Sequence, residues 1–311
     1  MTGKMTTQHR LLRRTCIRRG IRFTAAVMAS VLCLFSVSPV LAQARLHVIA
    51  VGDTAKRVDG DDAKDIGPDM KFNLGSLSIW LRTNSPKRLL NLQVLDDDNY
   101  AREPLMRAID SLQVDSQDAV MFFYCGHGYY DQTGRIEQGR MGTLLRPAAD
   151  NYRNLWLSEI RAKIRTKQAR FFVSIVDCCS VQPSKHLGAA APAQPQSPVN
   201  FTPLFNSLFF HPTGEIAINS SAPNEYAVSS WRGKGTGSLF TQKFLNGLPN
   251  SDKTTDWSRT MQRVRSDVQA EFDLLKEGLR RDSRLLGAGL LQSQQGQTVW
   301  AIKDDQIWYK Y

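Results

Sequence analysis

Two neighbouring cysteines, Cys178 and Cys179, close the apolar run FFVSIVDCCS, in a chain of 311 residues with only five cysteines. Adjacent cysteines rarely meet disulfide geometry without strain, so a structural bridge between them is not expected. A second apolar run, VMFFYCGHG from Val120 to Gly128, ends in a histidine held between two glycines. Cysteine is the strongest common side-chain nucleophile, but only as thiolate, so it needs a base or a positive field. Histidine is the usual partner. If adjacent parallel strands end at His127 and Cys179, both side chains project into one crevice from a rigid support. Gly126 and Gly128 would then leave room beside the imidazole for a substrate backbone. The amides after the histidine and at the cysteine would bind a developing oxyanion. Strand alternation turns Cys178 away from Cys179, and both Cys178 and Cys125 read as packing residues.

The elements that must hold these residues follow from the pattern of apolar runs. RLHVIAVGD opens as a buried strand, and a helical pattern from about Asp69 puts Leu74, Leu77 and Leu81 on one face. Leu89 to Leu95 and Ala119 to Tyr124 read as the second and third strands, with a helix over Ala101 to Leu112 between them. A third helix over Leu155 to Lys167 leads to a fourth strand, Phe171 to Val176. Strands alternating with helices predict βαβ units and a parallel sheet. Continuous apolar runs without alternation mean that both faces of that sheet are covered. Ligands bind outside the carboxyl ends of such strands, where His127 and the cysteine pair lie. Gln182 to Pro198, rich in Pro, Ala and Gln, reads as a linker. Beyond it come a fifth strand over Glu215 to Asn219 and a helix over Ser238 to Gly247. Trp257, Met261, Val264, Val268, Phe272, Leu275 and Leu279 then mark an amphipathic helix. Val299 to Ile302 reads as a short last strand.

The net charge of +11 is concentrated at the start of the chain. Residues 1–44 carry seven basic residues and no acid, leaving 33 basic against 29 acidic residues in the rest. The remainder has no aromatic-interleaved basic patch, so nucleic-acid binding is not expected. An Arg-rich start, the apolar segment FTAAVMASVLCLF and Ala42-Gln43-Ala44 have the order of a bacterial-type secretory signal. Cleavage is expected after Ala42 or Ala44, placing the folded part in the periplasm or outside the cell; the alternative is an uncleaved anchor. The mature chain would keep Cys125, Cys178 and Cys179, an odd number that leaves a free thiol in an oxidising compartment.

Other readings of the same residues are weaker. A zinc site from Cys125, His127 and the cysteine pair matches no usual spacing, so no metal site is expected. A thiol-redox role rests on Cys178-Cys179 alone. His47 lies in a strand, and neither it nor His186 or His211 has a partner at ligand spacing. The acidic loop from Asp59 to Asp65 reads as solvated, and Asp96-Asp97-Asp98 as a cap for the second helix.

Tyr124-Cys125-Gly126-His127-Gly128 resembles the Y-S-G-H-G motif of the metacaspases and caspase-like cysteine peptidases, and Asp177-Cys178-Cys179-Ser180 resembles their D-x-C motif. The 52-residue step from His127 to Cys179 is similar to the spacing in caspases. The resemblance runs from Arg45 to about Gly247, including Gly237-Ser238-Leu239-Phe240-Thr241, which is similar to a G-x-F-T helix start. It implies an α/β fold, a caspase-like three-layer α/β/α sandwich with a mostly parallel six-stranded sheet. It implies Cys179 as nucleophile, His127 as general base or acid, and Gly128 with Cys179 as the source of oxyanion amides. It also puts Asp177 in a pocket for Arg or Lys; a second pocket acid aligns best with Asn73, with Asp69 nearby. Ser180-Val181-Gln182 departs from the family's His-Ser-Gly.

The layout implied is a signal peptide over 1–44, a large-subunit-type region over 45–180, a linker over 181–200 and a small-subunit-type region over 201–311. The function implied is an exported cysteine endopeptidase acting on peptide or protein substrates through a thioester. The rival is a caspase-like domain that no longer cleaves and binds a peptide in the same groove. No cofactor is expected. Some metacaspases need calcium, but the acidic loop lacks the glycine and closing glutamate of an EF-hand. Self-cleavage after Lys185 is expected if the pocket accepts lysine.

Overall fold

A computed structural model describes residues 44–54, 66–130, 136–137, 140–141, 143–145, 155–179, 202–221, 227–229, 235–248, 256–281, 300–303 and 306–310. The leader, the acidic loop, the proline-rich linker and Lys185 lie outside the described residues.

Strand β1 (Leu46–Gly52) is buried along its whole length. Helix α1 (Gly67–Asn84) follows, with Pro68 in its first turn. Its buried Met70, Leu74, Leu77 and Leu81 recur at three- and four-residue steps. It stops where the Ser85 amide bonds the Leu81 carbonyl, just before Pro86, which cannot continue the helix. Strand β2 (Leu90–Leu95) and helix α2 (Arg102–Ser111) come next. Asp96, Asp97 and Asp98 do not cap α2 as the sequence suggested. A short 3₁₀ turn (Asp97–Asn99) intervenes, and Ala101 holds the cap position without a side-chain bond. Thr54 Oγ1 instead donates to the Asp97 carboxylate at 2.9 Å and accepts the Asp97 amide at 2.7 Å, which ties the ends of β1 and β2 together.

Strand β3 (Ala119–Gly126) leads into an excursion of short strands. These are β4 (Gly128–Tyr130), β5 (Ile136–Glu137), β6 (Arg140–Met141), β7 (Thr143–Leu145) and β8 (Leu155–Trp156). Helix α3 (Leu157–Arg165) and strand β9 (Phe171–Cys178) complete this half. Strand β9 outlasts the expected end at Val176 and carries Asp177 and Cys178 within it. Helix α4 (Thr202–Phe209), which the sequence reading did not anticipate, precedes strand β10 (Gly214–Asn219). Helices α5 (Leu239–Gly247) and α6 (Trp257–Arg281) follow.

The central sheet has the order β10-β9-β3-β1-β2 and all its pairs are parallel. It counts five strands rather than six. The sixth expected strand forms as β11 (Trp300–Lys303) and runs beside β10. Its ladder, however, is with β12 (Gln306–Lys310), antiparallel and interrupted by a bulge.

Alternation along the strands divides the core into two layers. Val48, Ala50, Met121, Phe123, Val173 and Ile175 face α1, α4, α5 and α6. Ile49, Val51, Val120, Phe122, Phe172 and Val176 face α2 and α3. Both layers are apolar, which is why the central strands read as unbroken runs. Helix α6 covers its side with Trp257, Met261, Val264, Val268 and Phe272, each adding roughly 1.5–3 kcal/mol by leaving water. Its first residue is also fixed, by Trp257 Nε1 donating to the Leu208 carbonyl at 2.6 Å. The side chains of Leu275 and Leu279 lie outside the described residues. On the other face, the guanidinium groups of Arg161 and Arg165 both bond the Glu215 carboxylate, so α3 clamps the edge strand β10.

Candidate active site

The ladder between β3 and β9 pairs Cys125 with Asp177 and Gly126 with Cys178. The ladder ends there, and His127 and Cys179 are each the next residue of the chain at the carboxyl edge. The chain leaves β1 toward β2 and leaves β3 toward β9, so the crevice between β1 and β3 is the switch point of this sheet. His127 follows β3 at its border, and Cys179 follows the next strand, β9.

The turn after β3 is pressed onto the cysteine pair. A Cβ on Gly128 would stand 2.3 Å from Cys178 Sγ and 3.0 Å from the Cys179 carbonyl oxygen. A Cβ on Gly126 would stand 2.7 Å from Asp53 Cβ and 2.8 Å from Tyr124 Oη. The two glycines therefore do not leave room for a substrate, as the sequence suggested; the protein's own atoms fill that space. What they permit is the close approach of the histidine turn to Cys179.

The three thiols differ in their surroundings. Cys125 is fully buried, with its sulfur 3.7 Å from the Met70 carbonyl. Cys178 packs among the residues facing α2 and α3. Burial pushes both thiols well above the ordinary range, with Asp177 adding to the effect. Cys179 is only half-buried, and its sulfur lies 3.7 Å from the Ala227 carbonyl. Burial pushes its thiol up to about 11, against backbone hydrogen bonding at Ala227 and with the Asp177 charge adding to the rise. At neutral pH Cys179 is therefore a thiol, and a reaction through it needs a base to remove the proton.

The histidine turn hangs from a pair of tyrosines. Tyr124 Oη donates to the His127 carbonyl at 2.6 Å. Tyr100 Oη lies 2.6 Å from Tyr124 Oη. A phenol has one proton, and Tyr124 spends it on the carbonyl, so Tyr100 is the donor to Tyr124. Both phenols are held well above their usual pKa, mainly by burial, with the charge of Asp53 contributing to each. Asp53 itself follows β1, is buried, and its amide bonds the Cys125 carbonyl at 3.0 Å.

Asp69, Asn73 and Asp177 come together around residues 235–241. Asp69 Oδ1 accepts the amides of Gly235, Thr236 and Gly237 at 3.0, 2.9 and 2.9 Å. Gly237 permits this with φ 85, a left-handed conformation that other residues adopt only with strain. Asn73 Nδ2 donates to Ser238 Oγ at 2.8 Å, and Asn73 Oδ1 accepts the Ser238 amide at 3.2 Å. Ser238 Oγ in turn donates to Asp177 Oδ2. The same oxygen accepts Thr241 Oγ1 at 2.5 Å and the Thr241 amide at 3.3 Å, at the positive start of α5. Asp177 Oδ1 is buried without a hydrogen-bond partner among the described residues. Burial raises the Asp177 carboxyl, and the hydroxyls of Ser238 and Thr241 partly offset the rise.

Three of these participants escaped the sequence reading. Tyr100 carries no local signal, and neither do Ser238 and Thr241 as partners of Asp177, because each contact joins elements far apart in the chain. Tyr124 stood inside the quoted motif without an assigned role.

The caspase domain matches residues 85–297, and the chain belongs to that family of cysteine peptidases. The match spans both His127 and Cys179. A crystal structure of caspase-1 from Spodoptera frugiperda superposes with a TM-score of 0.51 at 13% identity, covering 84% of this chain and 86% of that one. That similarity shows the caspase fold, an α/β/α sandwich. A search of curated proteins returned no match.

Proposed function

We propose that the chain is an exported caspase-like cysteine endopeptidase, of metacaspase type, in which Cys179 and His127 act as a dyad. The observation that supports this reading is the β3–β9 register, whose last pair, Gly126–Cys178, stands one residue before both His127 and Cys179, the least buried of the three thiols. His127 takes the Cys179 proton as the sulfur attacks the scissile carbonyl, whose oxygen becomes an anion held by the Gly128 and Cys179 amides. Collapse of the tetrahedral adduct forms the thioester and breaks the C–N bond, with His127 returning the proton to the leaving amine. Water then adds to the thioester and releases the acid and the thiol. The steps use only the chain's own groups and water.

Asp177, with Asp69 and Asn73, is the basis for a preference for Arg or Lys at the cleavage site. The buried Asp177 Oδ1 supports it, since that oxygen retains capacity for a donor and a cation would be the strongest. Self-cleavage after Lys185 and export through residues 1–44 belong to the same proposal. Among the described residues no helix is long and apolar enough to cross a membrane.

The test is hydrolysis of fluorogenic peptide amides ending in Arg, Lys or Asp, with Cys179→Ala alongside. Cleavage after Arg or Lys that disappears in the variant is the expected result. Cleavage after Asp would overturn the specificity. A second reading, a peptide-binding domain without turnover, is favoured by the Cys179 thiol at about 11 and by the engagement of Asp177 with Ser238 and Thr241. Binding of the same peptides without product would establish it.

A further inference from the structure

We infer that Tyr124, backed by Tyr100, is a positioning residue that aims the Gly128 amide at the oxyanion. The inference rests on the dyad reading above and concerns the peptide unit joining His127 to Gly128. A peptide unit is planar, and no described peptide bond is cis. In a trans unit the C=O and N–H point in opposite directions. The Tyr124 hydroxyl holds the His127 carbonyl inward at 2.6 Å, which turns the Gly128 N–H away from the tyrosine pair. Gly128 itself lies against the Cys178–Cys179 backbone, so one hydrogen bond in the core sets the direction of an amide beside the nucleophile.

The support behind Tyr124 is built to be rigid. Tyr124 is 1% exposed and Tyr100 4% exposed. Their rings lie 6.1 Å apart, and Tyr100 completes the acceptor side of the Tyr124 hydroxyl. Burial, with Asp53 contributing, pushes both phenols well above their ordinary range, which favours the protonated donor. Without the hydroxyl the His127 carbonyl loses this hydrogen bond, and the peptide plane is held less firmly. Preorganised amides matter most in the transition state, so the loss should appear in kcat rather than in KM.

Tyr124→Phe separates this role from a merely structural one. Three readouts apply: turnover of an arginyl fluorogenic peptide amide, inhibition by the matching arginyl aldehyde, and alkylation of Cys179 by iodoacetamide mapped by fragmentation mass spectrometry. The aldehyde reports on the oxyanion: the Cys179 sulfur bonds its carbon, the thiol proton passes to His127, and the oxygen becomes negative. Alkylation displaces iodide and needs no oxyanion. We expect Tyr124→Phe to lower kcat roughly 10–100-fold and weaken the aldehyde similarly, a fraction of the loss on deleting an oxyanion donor. KM and the rate and pH profile of alkylation should stay within about twofold. Tyr100→Phe should act in the same direction and less strongly.

Unchanged kcat and aldehyde affinity in Tyr124→Phe would overturn the inference. So would a parallel change in all three readouts, which would mark a general loss of structure. If Cys179→Ala keeps turnover, or the wild type neither turns over nor binds the aldehyde, the dyad reading fails and this inference fails with it. A silent Tyr124 variant beside a dead Cys179 variant would remove the positioning role alone.

Discussion

Two aspartates, each 2% exposed, stand at opposite ends of the same sheet and are treated differently. Asp118 precedes β3 at the amino edge, and both its oxygens are engaged. Oδ1 accepts the Arg45 amide at 2.7 Å; Oδ2 accepts the Asp115 amide at 2.9 Å and pairs with His47 Nε2 at 3.0 Å. Asn91 holds the other ring nitrogen of His47 at 3.2 Å, so the cluster joins the first residues of β1, β2 and β3. Asp177 lies near the carboxyl end of β9; among the described residues three donors reach one oxygen and none is in hydrogen-bond geometry on the other. A carboxylate with both oxygens engaged is a staple. One whose second oxygen is desolvated and unpaired costs stability, and its unused acceptor is what a site can draw on.

The sharpest contrast between the two edges should come from the dyad. Cys179→Ala and His127→Ala should each lower peptide hydrolysis by roughly 10³-fold or more, because each removes an obligatory member of one proton-transfer unit. Thermal unfolding of both variants should match the wild type. Comparable residual activity in Cys179→Ala, with loss in Cys178→Ala, would shift the nucleophile by one residue.

At the amino edge the sign reverses: stability falls and chemistry does not. Asp118→Ala leaves the buried His47 without its carboxylate partner and frees the Arg45 and Asp115 amides, and should cost about 1–3 kcal/mol in urea unfolding. Activity per folded molecule should be unchanged. A variant as stable as the wild type would remove the staple reading of this edge.

Asp177→Asn should do the opposite. The Asp177 carboxyl is held above its ordinary value of 3.8. The folded state therefore binds this proton more tightly than the unfolded chain. Its contribution is favourable below about pH 4 and is lost as pH rises through the raised value. Above the unfolded value that contribution declines, so replacing the carboxyl with a neutral amide should favour the fold more at pH 7 than near pH 4. In the same variant kcat/KM for Arg or Lys substrates should fall by about 1.5–3 kcal/mol, the worth of a hydrogen bond to a charged group. Urea titrations at the two pH values and the two substrate series check both halves.

The smallest effect belongs to Cys178→Ala. It removes one buried sulfur from the layer facing α2 and α3 and should cost roughly 1 kcal/mol while keeping most activity. A dead Cys178 variant that is still folded would mean that the sulfur beside Gly128 does more than pack.

The central strands and the long amphipathic helix were legible because burial on two faces or on one stripe leaves a periodic trace. Strands β4 to β8 are two or three residues long and leave no trace of that kind. Helix α4 was hidden in FTPLFNSLFF, where the apolar residues are too dense to reveal a face and a proline-rich stretch comes directly before. Its buried side, Leu204, Phe205, Leu208 and Phe209, becomes visible only against Trp80 and Trp257.

By itself the sequence determined the central strands, the order of histidine and cysteine, and the family, because these depend on residue type and spacing along the chain. Tertiary structure alone decided which atoms those residues meet. It set the β3–β9 register that ends one residue before both His127 and Cys179, the Tyr100–Tyr124 support 24 residues apart, and the Ser238 and Thr241 donors more than 60 residues from Asp177. The physical reason is range. Propensity and periodicity act over a few residues and can be read locally. A hydrogen bond acts over about 3 Å in space and is indifferent to separation in sequence.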